Sequence, residues 1–211
     1  MDYKEANQGV YDRHANDFEN DTKDYLREHI LQDAELFLAG LPGKDILDLG
    51  SGPGRDSAFF KEKGFNPLCF DLSPEMIKLC QDKGLSAKVG DLESMPFQNN
   101  SFDGVWAYTS LLHMPKEKLS YVLRKINEIL RQKGRFYLGM REGDFEGWRD
   151  GGRYPGERRF MALYNDKELR KALSGHFGII HHSRIELKNA AYLNYLCKKL
   201  EEESESPFQK H

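Results

Sequence analysis

The chain has 211 residues, 39% hydrophobic and 12% aromatic, which is enough to bury one good core but hardly two. Its 31 basic and 34 acidic side chains leave a net charge of -3, without the positive excess that draws a protein to phosphate polymers or anionic lipid. No run of about 18 apolar residues marks a membrane span and the amino end is polar and acidic, while Cys69, Cys80 and Cys197 stand too far apart for a zinc site or a disulfide set. A single domain in a reducing cytoplasm is expected, with no membrane contact and nucleic acid disfavoured as a partner.

Residues 1–40 read as a helical segment able to act as a lid. From Asp45 onward, short apolar runs alternate with amphipathic stretches, the pattern of βαβ units feeding a parallel sheet. Strands are expected at Asp45 to Leu49, Pro67 to Asp71, Ala87 to Gly90, Gly104 to Tyr108, Arg135 to Met140, Gly178 to Leu187 and Ala191 to Lys198, with helices in most gaps. In "LSPEMIKLCQDKG", Ser73 can cap a helix, Pro74 suits its first position and Gly84 can end it. In "KEKLSYVLRKINEILRQKG", Leu119, Val122, Leu123, Ile126, Ile129 and Leu130 share one helical face, with Gly134 as the expected terminator. Asn165 and Glu168 have capping-box spacing, and the last two strands follow that helix without a helical crossover, which calls for an antiparallel hairpin. Residues 201–211 are too polar for a core and read as a flexible tail.

The stretch "ILDLGSGPGRDSAFF" runs from a strand carrying Asp48 through Gly50, Gly52 and Gly54 into a helix. Glycines at such a turn let backbone approach a ligand closely. Nicotinamide and flavin proteins use the same order of elements, but their fingerprint is GxGxxG, and here Arg55 follows Gly54.

"DLGSGPG", "FDLSPEMI", "GDLESMPF" and "FDGVWAYTSLLHMP", in this order and spacing, resemble the class I S-adenosylmethionine-dependent methyltransferases over roughly Asp45 to Leu187. The resemblance implies an α/β fold: a doubly wound, Rossmann-like, seven-stranded, mostly parallel sheet with a closing antiparallel hairpin and helices on both faces, here one domain of residues 1–200. It implies S-adenosylmethionine as cofactor and S-adenosylhomocysteine as product. Gly50, Gly52 and Gly54 then take the methionine part and Asp48 its amino group. Asp71 takes the ribose hydroxyls, suiting a carboxylate's two acceptor oxygens, and Asp91 with Leu92 takes the adenine. Leu72, Met76 and Met95 are candidates for apolar surface around the adenine, or equally ordinary packing.

Methyl transfer asks the protein mainly to align a nucleophile and exclude water. Where a base is needed, His113 is the first candidate, because it follows the fourth strand at the carboxyl edge where ligands bind such sheets; packing or capping the next helix is its ordinary alternative. Tyr108 and Ser110 share that loop and are candidates to line the transfer site, Tyr108 also as a catalytic or cofactor contact. No cluster of residues has metal-ligand spacing.

In this family substrate contacts usually come from the amino-terminal segment and from an insert after the fifth strand, here 141–164. Tyr3, Tyr11 and Phe18 are candidates for a lid. Arg141, Arg149, Arg153, Arg158 and Arg159, with Trp148 and Tyr154, suit an acidic small molecule. Glu142, Asp144, Glu146, Asp150 and Glu157 match those arginines one for one, so a self-neutralising surface loop is an equal reading. Tyr11, Arg141, Trp148, Arg149, Tyr154 and Arg158 are the residues assigned to substrate.

The Asn-Pro-Pro or Asp-Pro-Pro of the amino and amide methyltransferases, the Pro-Cys of the cytosine-5 enzymes and the paired glutamates of the protein-arginine enzymes are all absent from the sequence. Three readings follow: an enzyme methylating an O, N or S atom of a small, acidic metabolite; a tRNA methyltransferase acting on a wobble-uridine side chain, which "VYDRHANDF" faintly resembles; and a module that binds the cofactor without turnover. Monomer and homodimer are both compatible with the sequence.

Overall fold

A computed structural model describes residues 2–188 and 190–200; the tail expected at 201–211 lies outside the described residues. Seven strands form the main sheet: β1 (Asp45–Leu49), β2 (Asn66–Asp71), β3 (Ser86–Val89), β4 (Phe102–Tyr108), β5 (Leu130–Arg141), β8 (Phe177–Leu187) and β9 (Ala190–Lys199), in the order β3-β2-β1-β4-β5-β9-β8. The first five pair in parallel, and β9 pairs antiparallel with both β5 and β8. This is the doubly wound sheet with its closing hairpin.

Alternation along the central strands serves two cores, as expected of a sheet covered on both faces. Leu47, Leu49, Val105 and Ala107 pack on one side with the apolar stripe of α6 (Lys116–Ile129). Ile46 and Trp106 pack on the other with Phe37 of α3 (Leu31–Ala39) and Phe60 of α4 (Arg55–Glu62). Trp106 stacks on Tyr137 with ring centroids 3.9 Å apart.

Helix α5 (Pro74–Asp82) begins as expected, with the Met76 amide donating to the Ser73 hydroxyl, and α7 (Asp166–Ser174) carries the complete Asn165/Glu168 capping box. Gly134 does not end α6. The helix stops at Ile129, and Leu130 already pairs with Phe102 in the sheet. The register then slips between Phe102 and Gly104, so residues 131–134 bulge before Arg135 resumes pairing. A Cβ on Gly134 would lie 2.8 Å from the Arg131 carbonyl oxygen; the glycine serves the bulge.

Two pieces fall outside the alternating pattern. The amino-terminal segment forms α1 (Tyr3–Arg13), α2 (Ala15–Thr22) and one π turn before α3. Within 141–164, β6 (Glu146–Asp150) and β7 (Arg158–Ala162) form a separate antiparallel ribbon, with Trp148 opposite Phe160. Asn7, buried on α1, ties the two together. Its amide nitrogen donates to the carbonyls of Phe160 and His113, and its oxygen accepts from the Phe160 amide at 2.8 Å. Among the described residues no helix is long and apolar enough to cross a membrane.

Candidate active site

A cavity of about 670 Å³ opens at the carboxyl ends of β1, β2 and β4, beneath α1, α2 and the β6–β7 ribbon. Gly50 and Gly52 line it, both at positive φ. Gly50 must be glycine, because a Cβ there would meet the Ser110 Cβ at 2.1 Å, and Ser110 is fixed by donating to the Leu49 carbonyl at 2.6 Å. Gly54 is not among the lining residues. It starts α4, and its missing side chain makes room for Leu85 and the Cys80 sulfur.

Carboxylates occupy the β1–β2–β4 side of the cavity. Asp71 accepts from the Gly52 amide at 2.8 Å and the Ser73 amide at 2.9 Å, which holds the glycine turn against β2. Burial raises its pKa despite those bonds. Asp91 and Leu92 line the cavity beside Glu93, and Lys4 of α1 reaches both acids, at 2.7 and 3.1 Å. Tyr3 also donates to Glu93. Asp48 lies elsewhere: it is 2% exposed, outside the lining, and accepts from the Ser57 hydroxyl at 2.7 Å. Burial, with Asp56 nearby, raises its pKa strongly, so it supports α4 from behind the turn. Leu72 and Met76 line the cavity, whereas Met95 packs against the core.

Sequence reasoning did not single out Arg55, Asp56 or Tyr25 as site residues. Arg55 pairs with Asp56, which also accepts from the Trp106 indole at 2.8 Å. The guanidinium lies over the rings of Tyr25 and Tyr108, whose hydroxyls bond each other at 2.7 Å. The departure from GxGxxG at position 55 was the available signal. Thr109, just after β4, also lines the cavity and holds φ at 56°, a strained conformation for a β-branched residue.

The lid residues Tyr3, Tyr11 and Phe18 all line the cavity. Tyr11 and His113 meet there, hydroxyl to Nε2 at 2.7 Å. The His113 Nδ1 lies 3.2 Å from the Phe160 carbonyl, which can only accept, so the proton sits on Nδ1 and Nε2 takes the Tyr11 hydrogen. Burial, with Arg159 adding to it, lowers the His113 pKa to about 4. Arg159 donates to the Tyr11 oxygen at 3.1 Å. Burial raises the Tyr11 pKa, with Arg159 opposing.

The insert does not neutralise itself. Glu142 pairs with Arg184, Glu157 with Arg13 and His14, and Asp144 accepts from Asn165; Glu146 accepts from the Lys116 amide. Among the described residues, Asp150 pairs inside the insert, with Arg158. Arg141, Arg149, Arg153 and Arg159 line the cavity, whereas Trp148, Tyr154 and Arg158 do not. Arg158 covers the Trp148 ring outside, and Tyr154 is buried against His14.

Residues 46–134 match the family model described as a methyltransferase domain. That stretch carries a methyltransferase domain, in agreement with the class I S-adenosylmethionine-dependent resemblance of its motifs and with the sheet order. A malonyl-[acyl-carrier protein] O-methyltransferase of Herminiimonas arsenicoxydans is 34% identical over 100 residues, 46% of this chain and 37% of that one. A tRNA (carboxymethyluridine(34)-5-O)-methyltransferase of Arabidopsis thaliana is 37% identical over 86 residues, 38% of this chain and 20% of that one. The chain thus spans little more than a third, or less, of these relatives' lengths. The 1,6-didemethyltoxoflavin-N1-methyltransferase of Burkholderia thailandensis, solved with S-adenosylhomocysteine and 1,6-didemethyltoxoflavin, shares the fold at TM-score 0.68 and 24% identity, over 89% of this chain and 87% of that one.

The methyltransferase cavity fits the family's cofactor on chemical grounds. A Cβ on Gly52 would meet only Phe18, at 3.5 Å, so the turn leaves room for a ligand. The carboxylates of Asp71 and Asp91 offer acceptors for hydroxyls and an amine.

Proposed function

We propose that this chain transfers a methyl group from S-adenosylmethionine to a small acidic acceptor in the cytoplasm, with its three unpaired cysteines kept reduced there. The observation that carries this reading is the polarity of the cavity. Asp56, Asp71, Asp91 and Glu93 line one side, and Arg141, Arg149, Arg153 and Arg159 of the insert line the other. The acidic side suits the cofactor's amine and hydroxyls, and the guanidinium side suits a carboxylate or phosphate. When bound, the cofactor supplies a methyl group activated on a sulfonium.

The chain's own residues bind, orient and exclude water. Asp71 holds the ribose end, with Gly50 and Gly52 beneath the methionine part. Tyr108, Tyr25 and Tyr192 make an aromatic wall, and α1 closes the site. An acceptor carboxylate needs no base. For a hydroxyl or amine acceptor, the Tyr11 oxygen receives the proton as Tyr11 passes its own to the His113 Nε2, which makes Tyr11 the group that faces the acceptor and His113 its support. The acceptors in both relatives' names are acids, malonyl and carboxymethyl, which agrees with the guanidinium wall. The second name also favours tRNA as an alternative, tested by a salt-sensitive mobility shift.

Calorimetric binding of S-adenosylmethionine and S-adenosylhomocysteine to the wild type and to Asp71→Ala tests the cofactor assignment. We expect binding that Asp71→Ala weakens by ~1.5–3 kcal/mol. Absence of binding by both ligands would overturn the enzyme reading. Binding without methylation across a broad panel of small acids and tRNA would leave a cofactor-binding module.

A further inference from the structure

The guanidiniums on the ribbon side are held by contacts that leave them unneutralised. Arg153 lies over the Phe18 ring of α2, 5.0 Å from its centroid. Arg159 sits between the rings of Tyr11 and Tyr154, at 5.6 and 5.5 Å, and gives one N–H to the Tyr11 oxygen. Arg149 lines the same cavity and makes no ion pair among the described residues. The acids adjacent in sequence point away: Glu157 is gripped by Arg13 at 2.6 and 2.9 Å, which lowers its pKa to about 2, and Asp150 is with Arg158. Cation–π contacts use the flat face of a guanidinium and leave its N–H edge for other partners. Three cations on one wall, with the cavity's carboxylates on the opposite wall, repel one another, and an oxyanion bound between them relieves that cost.

We infer that Arg149, Arg153 and Arg159 form an oxyanion subsite that takes the carboxylate or phosphate of a small ligand and is complete only when α1 and α2 are docked. This rests on the acceptor reading above and adds to it the residues and the dependence on the lid. Arg149 and Arg153 come from the insert and carry the charge. Phe18 and Tyr11 come from the amino-terminal segment and aim Arg153 and Arg159. The lid thereby orients the charges of the opposite wall, so an anion in the subsite favours the closed arrangement.

Malonate and inorganic phosphate serve as probes, titrated by calorimetry into protein saturated with S-adenosylhomocysteine. Wild type should bind at least one of them, and Arg149→Ala/Arg153→Ala should bind it about tenfold more weakly or worse, with the affinity for S-adenosylhomocysteine unchanged. Both arginines are exposed, so the double variant keeps its fold. Phe18→Ala should also weaken the anion, because it removes the platform under Arg153 and the ring edge packed on Tyr11. Malonate binding alone points to a carboxylic ligand, phosphate alone to a phosphorylated one. If neither anion binds, or if the double variant binds as well as wild type, the subsite is wrong; undiminished binding by Phe18→Ala overturns the lid dependence. Loss of S-adenosylhomocysteine binding in wild type with anion binding retained, measured then on the free protein, would sink the methyltransferase reading and leave the subsite standing.

Discussion

His113 shows how one residue's surroundings choose its role. Its Nδ1 is committed to the Phe160 carbonyl and its Nε2 to Tyr11, and its pKa is lowered to about 4, so the native ring stays neutral across the physiological range. An unfolded chain takes up a proton on this ring near pH 6.5. The stabilisation from the neutral ring is therefore complete above about pH 6.5 and is lost as pH falls from there toward about 4. Urea unfolding at pH 7.5 and pH 4.5 should show the wild type losing about 1–3 kcal/mol more than His113→Gln; equal losses would contradict the assignment. Tyr164 offers the opposite case. Its buried hydroxyl has no hydrogen-bond partner among the described residues, so Tyr164→Phe should be neutral or stabilising within about 1 kcal/mol by the same assay, since an unsatisfied group is removed and no bond is broken.

Among the elements, α1 has the most consequence for the site. Leu or Val at helical spacing would mark a packing face, yet α1 buries only Asn7 and Val10 and is held largely by polar contacts. Asn7 spans the ribbon and the turn after β4. Asn7→Ala leaves the Phe160 amide and carbonyl without that partner, and should cost about 1–3 kcal/mol. It should also expose 1–25 to limited proteolysis under conditions where wild type is resistant; an unchanged digestion pattern would show that the remaining ion pairs suffice. At the other end of the chain, α7 depends on its capping box. Asn165→Ala should lower stability by about 1 kcal/mol without changing cofactor affinity, because α7 is absent from the cavity lining.

Taken as a whole, the molecule places opposite charges on two walls built by different parts of the chain. The end of β2, the turn after β3 and the start of α4 contribute the carboxylates, while the insert contributes the guanidiniums. A ligand that binds only the folded state stabilises it by mass action, about 2.7 kcal/mol at a hundredfold excess over Kd. S-adenosylhomocysteine should therefore raise the melting temperature of the whole domain in one transition. Two separate transitions would mean that α1, α2 and the ribbon unfold apart from the sheet.

The sequence by itself determined the parallel sheet, its closing hairpin, two helix caps and the glycine turn, because each is written in local periodicity, turn chemistry or short-range spacing. The same local signals misplaced Gly134, since a glycine after an apolar helical stripe reads identically whether it ends the helix or relieves a bulge; the pairing of Leu130 with Phe102 decides it. They also grouped Asp48 and Gly54 with the ligand contacts and counted the insert's acids against its arginines. Tertiary structure alone decided those points. Arg13, His14 and Arg184 lie far from Glu157 and Glu142 along the chain, yet they pair with them in space. Which charges remain for a ligand follows from that long-range pairing, which sequence proximity does not reveal.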